Sequence, residues 1–298
     1  MKYDNYVLHD SLPKNVTMQS RNLKQFTNWL FPYKCISCGT EVDELSAICH
    51  TCFTKITFID HPICKVCGRM FETQESYEPE EVCERCSKQV PYFDAVRSLL
   101  QYDAAARRII MQIKKNTDYN VVAVCAKMLY SKYQSLFEGV DYITPVPSHR
   151  TRLLMRGNNP PDVIALKLAA ASGVEYKKII KRIRKTEYQK DKSAEERRKN
   201  VAGAFACYDG RGLPSKPSEG VHEHSSTGST KQETDCGGLA GSPVVGKNVV
   251  VVDDVMTTGA TMNECAKVLK AAGAKTVIGI TIASTNLSRR GRRAELLK

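Results

Sequence analysis

The sequence has no long apolar run and is short of acidic residues. No run approaches the roughly 18 apolar residues that a helix needs to cross a bilayer, which excludes a membrane span. The opening residues, MKYDNYVLHD, lack the apolar core of a secretory signal, so we expect a cytoplasmic protein. Lys and Arg number 44 against 32 Asp and Glu, and the formal net charge of +12 favours a phosphate-bearing partner.

The remaining composition is that of a globular protein. Apolar residues make up 42% and charged residues 26%, which excludes collagen, coiled coil and wholesale disorder. At 298 residues the chain is long enough for about two domains.

Cysteine is concentrated in one acidic segment. Eight of the 12 cysteines lie in residues 35–86, which hold ten carboxylates against four Lys and Arg, a net charge of −6. A C-x2-C turn offers two thiolates and Zn²⁺ takes four ligands, so eight such cysteines predict two structural zinc sites. The four pairs are Cys35 with Cys38, Cys49 with Cys52, Cys64 with Cys67, and Cys83 with Cys86.

Other interpretations of the cysteines are weaker. Disulfides need an oxidising compartment, and a redox C-x-x-C motif occurs singly rather than four times in series. An iron–sulfur cluster, or one zinc with spare thiols, also remains. Sequential pairing of the four motifs is favoured, although the spacing also permits interleaved pairing. The acidic charge argues against a grip on nucleic acid and favours a module that holds a partner or caps the rest of the chain.

The rest of the chain has the pattern of an alternating α/β domain. Strands are predicted at 92–102, 141–146, 247–252 and 276–283, and helices at 104–115, 120–137, 161–172 and 261–272, with a loop at 253–260. A Gly-, Ser- and Pro-rich stretch at 209–246 predicts a flexible insertion, in which His222 and His224 are solvated loop residues rather than metal ligands. The predicted units are a lead-in at 1–34, a cysteine module at 35–90, an α/β domain at 91–285 and a basic tail at 286–298.

The segment VVVVDDVMTTGAT carries the most specific chemistry. A buried strand delivers Asp253 and Asp254 at its carboxyl end, where open α/β sheets bind ligands. The small and hydroxylic residues that follow enter a helix N-terminus, whose N–H groups favour anions. We therefore predict a phosphate cradle beside two carboxylates that face hydroxyl groups or Mg²⁺. The cradle residues are Thr257, Thr258, Gly259, Ala260 and Thr261.

This segment resembles the loop that binds phosphoribosyl pyrophosphate (PRPP) in type I phosphoribosyltransferases. The resemblance implies a Rossmann-like α/β fold with a parallel sheet. It also implies that Asp253 and Asp254 hold the ribose hydroxyls and that 257–261 hold the 5′-phosphate.

More of the chain resembles the ComF competence-protein family, in which a small cysteine-rich zinc-ribbon domain precedes a phosphoribosyltransferase domain. The stretch ITPVPSHRTRLLMRG at 143–157 is similar to the family motif P-V-P-x-H-R-x-R-x-x-x-R-G. The resemblance implies a catalytic role for Arg156, although a solvated basic turn is the alternative. The pyrophosphate-binding residues that it implies are Pro147, Ser148, His149, Arg150 and Arg152.

Two further stretches bear on the family resemblance. Pro160 stands where the family usually has Gln, which puts the acceptor chemistry in question. The stretch 185–205 is either a loop that closes over substrate or a solvated helix. It matches the family through Thr186, Gln189, Arg197, Asn200 and Phe205.

The resemblance implies three kinds of function. The first is an enzyme that uses PRPP and Mg²⁺ to transfer phosphoribosyl to an unknown acceptor. The second is a binding role in DNA uptake during natural transformation, with single-stranded DNA or a DNA-uptake helicase as partner. Residues 177–199, at net +7, and 288–298, at net +4, would then contact DNA. The third is a regulator with a vestigial site, which the intact Asp pair and phosphate loop disfavour.

Overall fold

The computed structural model describes residues 32–43, 47–71, 81–116, 119–148, 159–184, 193–208 and 242–285. Among these residues no helix is both long and apolar enough to cross a membrane. The predictions for the lead-in, the basic tail, the two loop histidines and nearly all of the 209–246 insertion lie outside the described residues.

Within these ranges, five parallel strands form one sheet in the order β1-β7-β6-β2-β3. The valines of β6 are buried on both faces, as the near-continuous apolar run of a central parallel strand requires. The predicted α/β class with a parallel sheet is confirmed. The strands are β1 Ala95–Gln101, β2 Tyr142–Pro145, β3 Glu175–Tyr176, β6 Asn248–Met256 and β7 Thr276–Ser284, with an antiparallel pair of β4 Ile180–Arg182 and β5 Phe205–Cys207 beside them.

Helices cover both faces of this sheet. The helices are α1 His50–Phe53, α2 Glu84–Lys88, α3 Ala104–Asn116, α4 Tyr119–Lys132, α5 Pro160–Ser172, α6 Ala194–Val201 and α7 Ala260–Ala271. Val250 and Val252 pack into one core with α3, α4 and α5. Val249 and Val251 point the other way, into a core with α7 and the β4–β5 pair. The period of two along β6 therefore divides the interior into two layers.

Several predicted boundaries differ from those observed. The predicted helix at 120–137 ends at Lys132, and a 3₁₀ turn follows at Gln134–Phe137. Gly173, with φ of +74°, ends α5 as predicted. The strand expected at 201–207 covers only Phe205–Cys207, because α6 extends to Val201.

The predicted loop at 253–260 is wrong in its first half, because β6 continues to Met256. Strand β2 ends at Pro145 opposite Val252, whereas β7 continues alongside and pairs with residues 253–256. The last four residues of β6 are thus paired on one side only. The side toward β2 is left open at the carboxyl edge of the sheet, where this fold class binds ligands.

The cysteine module covers the free edge of β1. The Ile59 N–H donates to the Leu99 carbonyl at 3.0 Å, and the Gln101 N–H donates to the Thr57 carbonyl at 2.8 Å. Further along, the Val96 N–H donates to the Val66 carbonyl at 2.7 Å. An uncovered strand edge invites pairing with other chains, so these bonds protect the sheet. The prediction that the module caps the rest of the chain is confirmed.

Candidate functional site

The eight cysteines of the module form two groups of four. In each group the sulfur atoms all lie within 4.8 Å of one another. The Cys38 and Cys49 sulfurs are 3.7 Å apart, and the Cys67 and Cys83 sulfurs are 3.6 Å apart. A tetrahedral Zn²⁺ with Zn–S bonds of about 2.3 Å places its sulfurs about 3.8 Å apart, so both groups fit zinc. The pairing is sequential, as predicted: Cys35, Cys38, Cys49 and Cys52 form the first metal site, and Cys64, Cys67, Cys83 and Cys86 form the second.

The chemistry of the sulfurs also fits a metal. All eight cysteines are free thiols, which is contrary to a disulfide framework. Backbone N–H groups of Cys67 and Cys83 donate to the Cys64 sulfur at 3.5 and 3.3 Å. Hydrogen bonds from the Cys67 and Cys86 thiols hold the pKa of Cys64 far below its usual range. The thiolate form is the one that coordinates zinc.

Glycine permits the tight turn after each first knuckle. Gly39 and Gly68 directly follow the second cysteine of a pair and have φ of +78° and +68°. At Gly68 a Cβ would lie 2.5 Å from the Val96 carbonyl oxygen, so glycine is also needed for close approach of the second metal site to β1.

The Asp pair lies on the open edge of β6. The Asp254 N–H donates to Oδ1 of Asp253 at 2.8 Å, and the Val255 N–H donates to Oδ1 of Asp254 at 2.7 Å. These bonds fix both carboxylates against the backbone of the strand end. One carboxylate oxygen of each residue is left for another partner.

Lys114 is a site residue that the sequence analysis missed. Its Nζ lies 2.9 Å from Oδ2 of Asp254, and only 31% of its side chain and 16% of that of Asp254 are exposed. Lys114 belongs to the last turn of α3, where the motif IIMQIKKN shows only that a helix ends in basic residues. Nothing in that pattern indicates which lysine turns inward.

The electrostatics of the three groups are coupled. Burial raises the pKa of Asp253 well above its usual range, and the neighbouring Asp254 charge raises it further. Burial acts to lower the pKa of Lys114, but the Asp254 carboxylate outweighs it and the pKa is raised. The site thus holds one firmly charged cation beside a carboxyl group that resists ionisation.

The phosphate loop, residues 257–261, connects β6 to α7. Gly259 has φ of +74° at the N-cap, and the Ala260 N–H donates to Oγ1 of the buried Thr258 at 3.3 Å. Among the described residues, none accepts a hydrogen bond from the backbone N–H groups of Thr257, Thr258 or Gly259. Unpaired N–H groups at the start of a 12-residue helix form an anion-binding arrangement.

The cysteine module touches this loop directly. Arg85 donates from Nη2 to the Thr258 carbonyl oxygen. A small cleft opens beside the contact, and its lining includes Arg69, Arg85 and Phe93 from outside the loop, together with Thr257 and Gly259. Two arginines next to zinc-ligand cysteines therefore lie beside the phosphate loop. Sequence reasoning did not single out either one.

The loop after β2 is held at its base. The Val146 N–H donates to the Val252 carbonyl at 2.8 Å, which ties the start of this loop to β6. Asn159 donates from Nδ2 to the Val146 carbonyl at 3.2 Å and accepts a hydrogen bond from Ser148 Oγ. The two ends of the loop thus meet next to the open edge of β6. Pro147 and Ser148 are described there, whereas His149, Arg150, Arg152 and Arg156 lie outside the described residues.

Comparison with known proteins supports both halves of this architecture. A family model described as a double zinc ribbon domain matches residues 26–87, and one described as a phosphoribosyl transferase domain matches residues 181–296. Competence protein F of Haemophilus influenzae is 25% identical over 254 residues, which cover 83% of this chain and 95% of that protein. The chain belongs to the ComF family. A second relative, DNA utilization protein YhgH of Salmonella typhimurium, is 25% identical over 245 residues, 77% of this chain and 93% of its own.

Solved structures resemble the chain only in part. An allosteric regulatory enzyme of purine biosynthesis aligns with a TM-score of 0.31 and 20% identity, covering 54% of this chain. Glutamine PRPP amidotransferase from B. subtilis aligns with a TM-score of 0.29 and 21% identity over the same share. The chain spans 25% and 27% of the length of these two proteins, and no functional argument rests on them.

Two features of this ComF chain have structural explanations. Pro160, in place of the usual Gln, is the first residue of α5 and Pro161 the second, positions at which a missing N–H costs nothing. In the 185–205 stretch, residues 194–201 form helix α6, opened by a capping box between Ser193 and Glu196. Arg197 and Asn200 belong to this helix and Phe205 is buried in β5, whereas Thr186 and Gln189 lie outside the described residues.

Proposed function

We propose that this protein binds PRPP together with Mg²⁺ at the carboxyl edge of β6 and transfers the phosphoribosyl group to an acceptor. The observation that carries the proposal is the one-sided end of β6. There an acid pair, unpaired N–H groups and a helix start all adjoin the open edge. The ligand that matches this set has an anionic group, adjacent hydroxyls and a second anionic group within reach of the loop after β2.

Each part of the ligand is assigned to a different part of the site. The N–H groups and hydroxyls of the phosphate loop bind the 5′-phosphate. Asp253 and Asp254 accept hydrogen bonds from the ribose 2′- and 3′-hydroxyls. Mg²⁺, when bound, offsets the charge of the pyrophosphate.

The leaving group is assigned to the loop after β2. Pro147, Ser148 and His149 line its start, and Arg150, Arg152 and Arg156 bind the departing pyrophosphate as bidentate donors. Stabilising the charge that develops on pyrophosphate is the main catalytic contribution, because the ribose C1′–O bond breaks as the acceptor attacks. Lys114 holds Asp254 in its ionised form, so that a carboxylate rather than a carboxylic acid faces the ribose.

Calorimetry with PRPP and Mg²⁺ tests the binding step. Wild-type protein is expected to bind PRPP, and the Asp253→Asn, Asp254→Asn double variant is expected to lose that binding while keeping its zinc and its fold. Pyrophosphate release in the presence of a panel of bases and amines tests the transfer step. Unchanged PRPP affinity in a folded double variant would contradict the proposal.

A second candidate function is binding of single-stranded DNA, with a DNA-uptake helicase or another uptake protein as a further partner. The charge distribution favours it, because residues outside 35–86 sum to +18. The names of the relatives, competence protein F and DNA utilization protein, are consistent with it. The two functions are compatible, since the acid pair and the basic segments are different parts of the chain. In both cases we propose a cytoplasmic location.

A further inference from the structure

We infer that Arg85 of the second metal site is a positioning residue for the phosphate loop. It fixes the orientation of the peptide group between Thr258 and Gly259 so that its N–H is available to an anion. The inference rests on the proposed binding of a phosphate by residues 257–261 and extends it to the cysteine module. It assigns to that module a role in ligand affinity beyond capping the sheet.

The argument begins with the peptide group itself. In a planar trans peptide the carbonyl and the N–H point in opposite directions. Arg85 donates to the Thr258 carbonyl and so holds that oxygen toward the cysteine module. The N–H of the same peptide, which belongs to Gly259, therefore points away from the module, and no described residue accepts a hydrogen bond from it.

Glycine makes this orientation vulnerable. Gly259 has φ of +74°, and a residue without Cβ changes φ at little steric cost. If the peptide flipped, the Thr258 carbonyl oxygen would take the place of the N–H and would repel a phosphate. The loop thus needs an external contact that selects one of two orientations.

Arg85 is well placed to provide that contact. Its Nη2 lies 3.5 Å from the point where a Cβ on residue 259 would be, and the Phe93 ring is 4.0 Å from the same point. The backbone of Arg85 is held on both sides by metal ligands, because Cys83 is the N-cap of α2 and Cys86 follows Arg85 directly. A short, metal-fixed helix therefore aims the guanidinium at the loop.

The contact also matters electrostatically. A hydrogen bond from a guanidinium polarises the Thr258 carbonyl and makes the N–H of the same peptide a better donor. Hydrogen bonds to charged groups contribute about 1.5–3 kcal/mol, more than neutral ones. We therefore expect loss of Arg85 to weaken binding of the 5′-phosphate, and not of pyrophosphate alone.

The test measures ribose 5-phosphate, PRPP and pyrophosphate affinities by calorimetry for wild type, Arg85→Ala and Arg85→Lys. Arg85→Ala is expected to weaken ribose 5-phosphate and PRPP about tenfold, which equals roughly 1.4 kcal/mol, and to leave pyrophosphate unchanged. Arg85→Lys keeps a donor for the carbonyl and should recover much of the loss. Added methylguanidine should partly restore Arg85→Ala, a result that a merely structural role would not produce.

Lys88→Ala is the matched control, because Lys88 lies on the same helix and its side chain is 74% exposed. It should bind all three ligands as wild type does. Zinc content is measured for every variant, and Arg85→Lys stands in if Arg85→Ala loses zinc or folds poorly. If wild type binds neither ribose 5-phosphate nor PRPP, the proposed function fails and this inference with it. If wild type binds both and the folded Arg85 variants bind equally well, only the role of Arg85 is refuted.

Discussion

The ion pair between Lys114 Nζ and Asp254 Oδ2, at 2.9 Å, joins the end of helix α3 to the open edge of β6. It places a cation where the family resemblance alone implies only carboxylates. Asp253 has no comparable cation within ion-pair distance among the described residues, and its pKa is raised by burial and by the Asp254 charge. The acid pair is therefore asymmetric, with one partner ionised by Lys114 and the other poised to gain or lose a proton.

Lys114→Met should destabilise the fold and increase the response to divalent cations. Asp254 would lose its cation while only 16% of its side chain is exposed, at a cost of about 1–3 kcal/mol. Two neighbouring carboxylates without a cation favour Mg²⁺, so added Mg²⁺ should raise the melting temperature more in the variant than in wild type. Thermal melts with and without Mg²⁺ measure both effects.

Lys88→Met is the control for this prediction. Its ion pair with Glu84 is 74% and 78% exposed, and such pairs contribute little. The variant should melt as wild type does and show no added response to Mg²⁺. Equal stability of Lys114→Met and wild type would mean that the buried ion pair has no structural role.

Asp253→Asn should raise stability at neutral pH and abolish PRPP binding. A carboxyl group whose folded pKa is raised contributes stability at low pH, and that stability is lost as pH rises through the folded pKa. The amide does not titrate, so the gain in melting temperature should be largest above the folded pKa and should vanish below pH of about 3.9. Melting curves between acidic and neutral pH measure the difference.

The same titration predicts proton release on binding. If ribose hydroxyls or Mg²⁺ require ionised Asp253, PRPP affinity in wild type rises with pH until Asp253 is ionised. Calorimetry in buffers of different ionisation enthalpy detects the released proton. Asp43→Asn, which alters an exposed carboxylate, should leave the pH dependence of both stability and binding unchanged. A wild-type melting profile parallel to that of Asp253→Asn would contradict the assignment.

Local patterns predicted the parts of the site that are continuous in sequence. The run of valines, the Asp pair and the small residues after it lie in one strand–loop–helix unit, so their spacing alone indicates where they meet. The cysteine pairing also followed from spacing, because neighbouring knuckles are the ones that share a metal. In each case the chain between the interacting residues is short.

The missed features all depend on distant contacts. Arg85 and Thr258 are 173 residues apart, and no local pattern relates them. The extension of β6 to Met256 depends on where β7 ends relative to β2, and Asp is a poor strand former on its own. Lys114 was missed because two adjacent lysines end α3, and only tertiary packing decides which one meets Asp254.

Elemental analysis should find close to two Zn²⁺ per chain, and each metal site should be separable. Cys35→Ser with Cys38→Ser and Cys64→Ser with Cys67→Ser should each remove about one ion, because two ligands are lost from one site. Structural zinc supplies folding energy, so each variant should also melt at a lower temperature. Retention of two Zn²⁺ by either variant would refute the pairing.

The two zinc variants should differ in ligand binding. The first metal site lies beside α3, where Ser37 and Arg108 are in contact, whereas the second carries Arg85 to the phosphate loop. Loss of the second site should therefore weaken ribose 5-phosphate binding, and loss of the first should not. Equal weakening by both would point to general loss of structure instead of a specific path through Arg85.

Binding of single-stranded DNA should be weak, independent of sequence and steeply dependent on salt. Each neutralised phosphate on a single strand contributes about −0.7 to the log–log salt slope, so four or five contacts give a slope of roughly −3. The structure narrows the candidates. Arg182 stacks 5.2 Å from the Phe205 ring centroid, and Arg184 donates to the Asn200 and Ala202 carbonyls, so both are already engaged within the protein.

The tail arginines are the sharper test of this activity. Arg289→Ala with Arg290→Ala removes two charges from the tail and should make the slope shallower by roughly 1.4, while PRPP affinity is unchanged. Lys55→Ala with Lys65→Ala removes the same charge from the acidic cysteine module and should leave the slope unchanged, because phosphate contacts there are opposed by its net charge of −6. Fluorescence anisotropy with a labelled oligonucleotide at several salt concentrations measures each slope. If the module variant loses affinity while the tail variant keeps it, the basic tail is not the DNA contact.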